Sequence, residues 1–561
     1  MAPPRLAAVE RWFLRAGVFL LPLAYWWDTY DRYVLPKLLV ARVLVIGLVI
    51  FFLARVIATG SLTIRRTPLD LPLLAFVLSA VLSTGFAYNQ NVAVFGTYAR
   101  YDGLLTILTY AGLFWLTVQT LAGPGDARAL FRVLLASGYL VAAIAILQSV
   151  TDSIGQGGIV PAFGTLGQQN VLGAFLALLC PLAFRELLQS DTWSKRVVAL
   201  NLLAVLGAGL ILTLSRSAWL GTAVAVLVLI VASPRLILRP RAVAALIVLV
   251  VLVTAGLSLA GRLPLEPQIQ ARAMTVFDVS AWGPRPAIWR DSIRLIESRP
   301  LFGYGPDNVG LVYPRFQATN LGRSQVDKAH AESLQVAATQ GLVGLAAYAL
   351  VLAAFVHAFW KGRRREGAVA IFAAWVAYQV TLQLNFSALA ASLPFWIFAA
   401  AAMESWGATR TAHSITLGRE RSMAGAIAIA ALAALALVAT VFPYLADSHL
   451  RVAVTADIEG RSDLARGAAA QARDLAPREG VYAVEVGNIA FERTDWASAA
   501  QAYGDAAQLG TYNPLVYRNL ALADLNLGRF TQARAAAAKA VELDRFDPAN
   551  RALLAQFGAG P

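Results

Sequence analysis

The residues best suited to chemistry lie in a polar stretch that runs from Trp282 to Gly344. Its cationic and basic side chains include Arg285, Arg290, Arg294, Arg299, Arg315 and His330. Arginine binds phosphate oxygens through a planar fork of N–H groups and keeps its charge. A neutral histidine, with a reference pKa of about 6.5, accepts a proton from a hydroxyl near neutral pH. Because a diphosphate leaving group needs charge neutralisation more than a proton donor, this set suits glycan transfer from a polyprenyl diphosphate to a hydroxyl.

The composition indicates that a membrane domain positions this stretch. Hydrophobic residues make up 58% of the 561-residue chain and charged residues only 14%, whereas a soluble domain is about a quarter charged. Thirteen apolar segments approach the length of about 20 residues that a span needs. They are 11–27, 34–57, 68–86, 103–122, 130–149, 168–188, 197–214, 217–233, 242–260, 332–360, 367–384, 390–404 and 423–443. We therefore predict an all-α, polytopic protein of about 12–13 membrane helices, with the N-terminus read as the first span.

The formal net charge of +14 is distributed in a way that predicts the topology. Alternate loops are basic, and they carry Arg55, Arg65, Arg66, Arg128, Arg132, Arg185, Lys195, Arg196, Arg235, Arg239, Arg241, Lys361, Arg363, Arg364, Arg365, Arg410, Arg419 and Arg421. Basic loops stay in the cytoplasm. The long loop 261–331 and everything after residue 443 are then extracytoplasmic. Since these loops take up much of the basic excess, we expect no nucleic-acid partner.

The chain changes character after Pro443, where it becomes alanine-rich and charged. Alanine recurs with a period of 34 residues at positions 465, 499 and 533, and prolines 477, 514 and 548 are expected to end the second helix of each unit. This period resembles that of tetratricopeptide repeats, and three units are enough for a stable stack. We predict a linker with the last span at 406–445 and a repeat domain at 446–561. Such an array serves either as a packing scaffold or as a concave surface for a protein partner.

Three further polar motifs lie at the predicted outer ends of spans. They are 95–105 with Arg100 and Asp102, 163–176 with Gln168, Gln169 and Asn170, and 212–221 with Arg216. Each has a structural alternative: an interfacial aromatic belt with a snorkelling arginine, a helix N-terminus capped by amides, and a tight turn. The single cysteine, Cys180, excludes an internal disulfide, and no Cys/His cluster has metal-ligand spacing. We therefore expect neither a metal nor a cofactor.

Several of these motifs together resemble the shared domain of the O-antigen ligase and polymerase family. They are Arg285 with Trp289, the turn 300–305, His330 with Gly341 and Gly344, Ser215–Arg216, the segments 163–176 and 95–105, and Pro36–Lys37. The resemblance covers most of residues 1–405 and implies a C-type glycosyltransferase-like fold. It implies metal-independent transfer from an undecaprenyl diphosphate glycan, in a multi-pass protein of the bacterial inner membrane. Two departures are Ala331 and Gln168–Gln169–Asn170, where the family has Asn and Asn-Pro-Asn.

The resemblance also implies roles for particular residues. His330 would activate the acceptor hydroxyl, and Arg216 and Arg285 would hold the diphosphate. Arg100, Arg290 and Lys37 are further candidates for binding the diphosphate or glycan.

Three acceptors remain open: a lipid-anchored sugar core, a growing glycan, or a protein serine or threonine. The repeat domain favours a large acceptor or a docked protein partner. A lipid-glycan transporter with a repeat scaffold is an alternative of another class. A non-catalytic membrane anchor is a third, but such an anchor would not require the arginine and histidine residues of the loop.

Overall fold

The computed structural model describes residues 4–154, 159–232, 269, 272, 274–275, 282–322, 325–416 and 419–558. The predicted span 242–260, the basic residues Arg235, Arg239 and Arg241, and much of the first part of the loop 261–331 lie outside the described residues.

Apolar helices form the first 405 residues. In chain order the elements are α1 (Pro4–Leu23), α2 (Leu35–Thr59), β1 (Ser61–Arg66), α3 (Asp70–Gly85), α4 (Gln90–Phe95), α5 (Leu104–Thr120), α6 (Pro124–Ser153), α7 (Gln169–Leu188), α8 (Trp193–Leu212), α9 (Arg216–Ala232), α10 (Arg285–Ser298), α11 (Val309–Val312), α12 (Glu332–Gly362), α13 (Ala368–Gln383) and α14 (Leu389–Ser405). Five of the described helices, α2, α6, α7, α8 and α12, are long and apolar enough to cross a membrane, and five shorter ones are also apolar. With α1 and the helix that follows β2, helices occupy twelve of the thirteen predicted spans, which confirms the all-α membrane fold.

The centre of the bundle is formed by α7 and α14. Nearly every residue of both helices is buried, as expected of helices that are apolar on all sides. The surrounding helices expose large apolar side chains, such as Leu71, Leu147 and Val198. Such surfaces suit contact with lipid rather than with water.

A two-stranded antiparallel sheet joins two loops that are far apart in sequence. Strand β1 pairs with β2 (Arg410–Thr416), with a bulge at Ile64/Arg65. Arg65 Nη2 also lies 2.6 Å from Glu404 Oε2. Both loops therefore lie at the same end of the bundle, which agrees with the topology predicted from charge. We call this end the basic face.

The chain continues from β2 into one long helix, α15 (Arg419–Ile458), which contains Pro443. It passes without interruption through the predicted boundary at residues 445 and 446. The last predicted span is therefore continuous with the first helix of the repeat region.

Six helices follow α15. They are α16 (Ser462–Leu475), α17 (Gly480–Glu492), α18 (Trp496–Gln508), α19 (Pro514–Asn526), α20 (Phe530–Leu543) and α21 (Pro548–Ala555). The recurring alanines 465, 499 and 533 are fully buried, so the predicted helical array is confirmed. Helix α15 packs most extensively with α16, α17 with α18, and α19 with α20, so α16, α18 and α20 are the second helices of the pairs. Pro477, Pro514 and Pro548 follow these helices, as predicted, and Pro514 and Pro548 are the first residues of the next helix. Proline is well tolerated there because the first helical residue needs no N–H donor.

Candidate functional site

The face opposite the strands carries a network of buried charges, and we call it the site face. Lys328 is 2% exposed, and its Nζ lies 2.7 Å from Asp102 Oδ2 and 3.1 Å from Asp307 Oδ1. Burial alone would lower the pKa of Lys328, but the two carboxylates raise it above the ordinary lysine value. The ammonium therefore stays charged. The second oxygen of Asp307 accepts hydrogen bonds from the N–H (2.6 Å) and the hydroxyl (2.9 Å) of Thr97.

Arg100 connects this network to the histidine. Its Nε lies 2.7 Å from Asp327 Oδ2, and its guanidinium lies 5.3 Å from the centre of the Phe386 ring. The edge of the same phenylalanine contacts His330 at 5.2 Å between ring centres. Arg100 is thus close to His330, but it is held in an ion pair.

His330 occupies a constrained position immediately before α12. Its φ of 52° lies in the left-handed region, which is uncommon for residues other than glycine. Trp289 Nε1 donates a hydrogen bond to its carbonyl oxygen at 3.2 Å. Its Nδ1 is buried and has no hydrogen-bond partner among the described residues. Burial and the nearby charge of Arg285 lower the pKa of His330 to about 4. The imidazole is therefore neutral at pH 7 and available as a proton acceptor.

Two arginines from different elements contribute charge to this part of the site. Arg285 is the first residue of α10, and Arg216 is the first residue of α9. Burial and the charge of Arg216 lower the pKa of Arg285, so Arg216 is near enough to act on it electrostatically. Arg285 has no ion pair with a carboxylate within the described part of the chain. Arginine guanidinium groups are well suited to bind phosphate.

The loop between α10 and α12 is positioned by contacts that depend on glycine residues. Helix α12 is broken at Gly341, where φ is 68°. The break frees the carbonyl groups of Ala338 and Thr339, which accept hydrogen bonds from the N–H groups of Tyr304 (3.0 Å) and Gly305 (2.8 Å). At Gly305 the left-handed φ of 98° turns the chain toward Asp307. The turn 300–305 and the glycine of α12 therefore form one unit.

The two polar motifs at the starts of α7 and α9 also meet. Ser215 Oγ donates a hydrogen bond to Asn170 Oδ1 at 2.9 Å. Gly173 permits this approach, because a Cβ there would lie 2.8 Å from the Cβ of Ala218. Arg216 is thereby anchored beside the beginning of α7.

Two predicted binding residues lie apart from His330. Lys37 is fully buried, and its Nζ donates to the carbonyl oxygens of Ala24 (2.6 Å), Tyr33 (2.9 Å) and Thr165 (2.5 Å). In this arrangement it joins two loops and has no N–H left for a ligand. Arg290 points away from the cluster and donates to Thr319 Oγ1 at 3.0 Å.

Lys328, Asp327 and Phe386 were not predicted from the sequence as site residues. The only local signal for the first two is that they lie within three residues of His330. Phe386 comes from the turn between α13 and α14, and it has no sequence signal. Among the described residues, no three His, Cys, Asp or Glu side chains are grouped as a metal site requires.

A small cavity of about 120 Å³ begins at Asp102, Asp307 and Lys328. It continues between α5, α12, α13 and α14, where apolar side chains alternate with polar ones such as Gln335 and Gln379. Since a water molecule occupies about 30 Å³, this space holds a few waters but not a lipid-linked sugar.

Together these features define a helical membrane protein with a buried polar site at one face and a fused array of helical pairs. Residues 201–349, about a quarter of the chain, match the model of the O-antigen ligase family. The resemblance inferred from the sequence is thereby confirmed. The matched stretch contains Arg216, Arg285 and His330.

Other comparisons add little. No curated protein matches the chain. The crystal structure of the APC/C hetero-tetramer Cut9-Hcn1 aligns with 82% of this chain and 78% of its own at 10% identity. The TM-score of 0.19 is too low to support a shared fold.

Proposed function

We propose that the protein transfers a glycan from a polyprenyl diphosphate to a hydroxyl acceptor at the site face. The observation that best supports this proposal is the position of His330 within the matched family domain. His330 is neutral at pH 7, and the charge of Arg285 acts on it. Arg216 is near enough to Arg285 to act on it electrostatically. The site therefore combines a proton acceptor with two groups that bind phosphate.

The reaction divides these groups into two roles. A ring nitrogen of His330 accepts the proton of the acceptor hydroxyl while the hydroxyl oxygen attacks the anomeric carbon of the donor sugar. The bond between that carbon and the diphosphate oxygen breaks, and the electron pair leaves with the polyprenyl diphosphate. Arg216 and Arg285 stabilise the charge that develops on this leaving group. Because the cavity below Lys328 is too small, the donor binds above it, against the two arginines.

The proposal includes the orientation of the protein. The basic residues of the loops near β1 and β2 favour the cytoplasm for the basic face. The site face and the repeat array then lie outside the inner membrane of a bacterium. A compartment without nucleotide sugars suits a donor that is already linked to a lipid diphosphate.

The experiment uses purified protein in proteoliposomes with a synthetic, labelled polyprenyl diphosphate oligosaccharide. A mixed pool of envelope lipids, polysaccharides and proteins serves as the acceptor, with EDTA present. We expect transfer of label to one acceptor class in EDTA, since guanidinium groups supply the positive charge. The labelled product then identifies the acceptor. Movement of the donor across the bilayer with no new glycosidic bond would instead support a transporter.

A further inference from the structure

The repeat array lies directly over the loop that carries His330. Arg315 of this loop forms an ion pair with Glu542 of α20, with 2.7 Å between Nε and Oε1. Arg545 donates to the carbonyl oxygen of Gln317. On the other side, Asn91 Nδ2 donates to the carbonyl oxygen of Leu509 at 3.2 Å. The array is thus in contact with two separate loops of the membrane domain.

A cleft of about 710 Å³ remains between the two domains. One wall consists of loop residues of the membrane domain, among them Asn320 and Gln325. The other wall consists of the turns that follow α18 and α20, with Tyr512, Asn513 and Phe546. A second space of about 270 Å³ shares Gln325, Tyr512 and Asn513 with it and reaches Thr97. We call the two spaces together the interdomain cleft.

One end of the cleft is formed by the segment that leads to the proposed catalytic base. Gln325 lies in the cleft wall and only five positions before His330 in the chain. At no more than about 3.6 Å per residue, the two residues are within roughly 18 Å of each other. Tyr512 lies close to Asp327 and Arg100, and burial together with the charge of Asp327 raises the pKa of its hydroxyl. The cleft therefore adjoins the buried charges of the site through Thr97 and Tyr512.

The chemistry of the walls of the larger space favours an uncharged, hydroxyl-rich ligand. Arg518 and Asp547 neutralise each other at 3.1 Å, and Asp544 accepts the backbone N–H groups of Phe546 and Asp547, both at 3.1 Å. The aromatic rings of Tyr512 and Phe546 and the side-chain amides of Asn513 and Gln325 remain as contacts. Amides bind hydroxyl groups as donors and as acceptors, and aromatic rings pack against the C–H faces of sugars.

We propose that the interdomain cleft binds the acceptor as an oligosaccharide chain whose terminal hydroxyl reaches His330. This inference rests on the proposed function and specifies its substrate class. A terminal sugar carries its hydroxyl at the end of the chain, so the remainder can lie along the cleft. A serine or threonine carries its hydroxyl next to the backbone, so a peptide would have to pass through the site itself.

The test measures binding of fluorescently labelled oligosaccharides, released from envelope polysaccharide by mild acid, to the full-length protein in detergent. We expect Tyr512→Ala and Gln325→Ala each to weaken binding by about tenfold or more, because each truncates one wall of the cleft. Phe530→Ala is the matched control: Phe530 is 64% exposed on the same array and lies outside the cleft. Its binding should equal that of the wild type.

The His330→Ala variant separates this inference from the proposed function. It should bind the labelled glycan normally even if no transfer is ever observed. Equal binding by Tyr512→Ala and Phe530→Ala, with unchanged unfolding temperatures, would overturn the inference. Absence of glycan binding, with saturable binding of peptides from envelope proteins, would also overturn it and identify a protein acceptor.

Discussion

The two faces of the membrane domain differ in how far their charges are buried. The basic face includes fully solvated pairs, such as Lys195 and Asp191 with side-chain exposures of 62% and 67%, beside more buried ones, such as Arg65 and Glu404 at 20% and 6%. At the site face Lys328 and Asp307 are 3% and 1% exposed. Exposed charges cost little and suffice to orient a membrane protein. Buried charges are expensive unless fully paired, and perturbed ionisable groups of this kind concentrate at functional sites.

The largest effect on stability should come from Lys328→Met. The substitution leaves Asp102 and Asp307 buried without their cation, and breaking such a network costs about 3–5 kcal/mol. Thermal unfolding in detergent should show a fall of many degrees, and adding Asp102→Asn and Asp307→Asn should recover part of it. If Lys328→Met alone were as stable as the wild type, the network would not be buried as described.

The next effect concerns the two arginines of the site. Arg285→Lys and Arg216→Lys keep the charge but remove the planar fork. A lost charge-assisted hydrogen bond is worth about 1.5–3 kcal/mol, so donor affinity should fall by about tenfold or more. Arg294→Lys is the control, because Arg294 lies on the same helix and is exposed. If all three variants bind the labelled donor equally, the arginines do not hold the diphosphate.

The pH dependence should reveal the environment of His330. Burial and Arg285 lower its pKa to about 4, and the neutral form is the proton acceptor. The acid limb of kcat/KM should therefore fall as pH drops through about 4, not through the reference value of about 6.5. Arg285→Gln removes a positive charge that lowers the pKa of His330. The acid limb of the remaining activity should therefore move to higher pH. An acid limb near 6.5 that does not respond to this substitution would contradict the described surroundings.

The smallest effect is expected at the basic face. Lys195→Met removes an exposed ion pair with Asp191, which lies just before α8, and exposed pairs of this kind contribute little to stability. Its unfolding temperature should match that of the wild type within error. A loss comparable with that of Lys328→Met would erase the distinction between the two faces.

Local patterns were sufficient to predict the helices and the array. Apolar runs predicted the spans because membrane helices are set by the composition of consecutive residues. The 34-residue period predicted the paired helices because each unit repeats the same packing positions. Both signals lie within short stretches of sequence.

Contacts between distant residues could not be predicted from one sequence. Lys328 forms an ion pair with Asp102, which is 226 positions away in the sequence. Arg100 pairs with Asp327 at a separation of 227 positions. Lys37 was a candidate for binding the diphosphate or glycan because the Pro36–Lys37 pair is part of the family resemblance. In the structure its Nζ donates to three carbonyl oxygens that the fold brings together. Tyr512 lies near the site because of the way the repeat array packs on the membrane domain. No local sequence pattern predicts this packing.

The most direct test of the account is single-turnover transfer by His330→Ala, with His357→Ala as the matched control on the exposed surface of α12. Donor binding is measured in parallel. We predict that His330→Ala loses about 10²–10⁴-fold in the rate of transfer, with donor binding within about twofold of the wild type, and that His357→Ala is unaffected. Transfer by His330→Ala at the wild-type rate would show that this histidine is not the base and would contradict the proposed site.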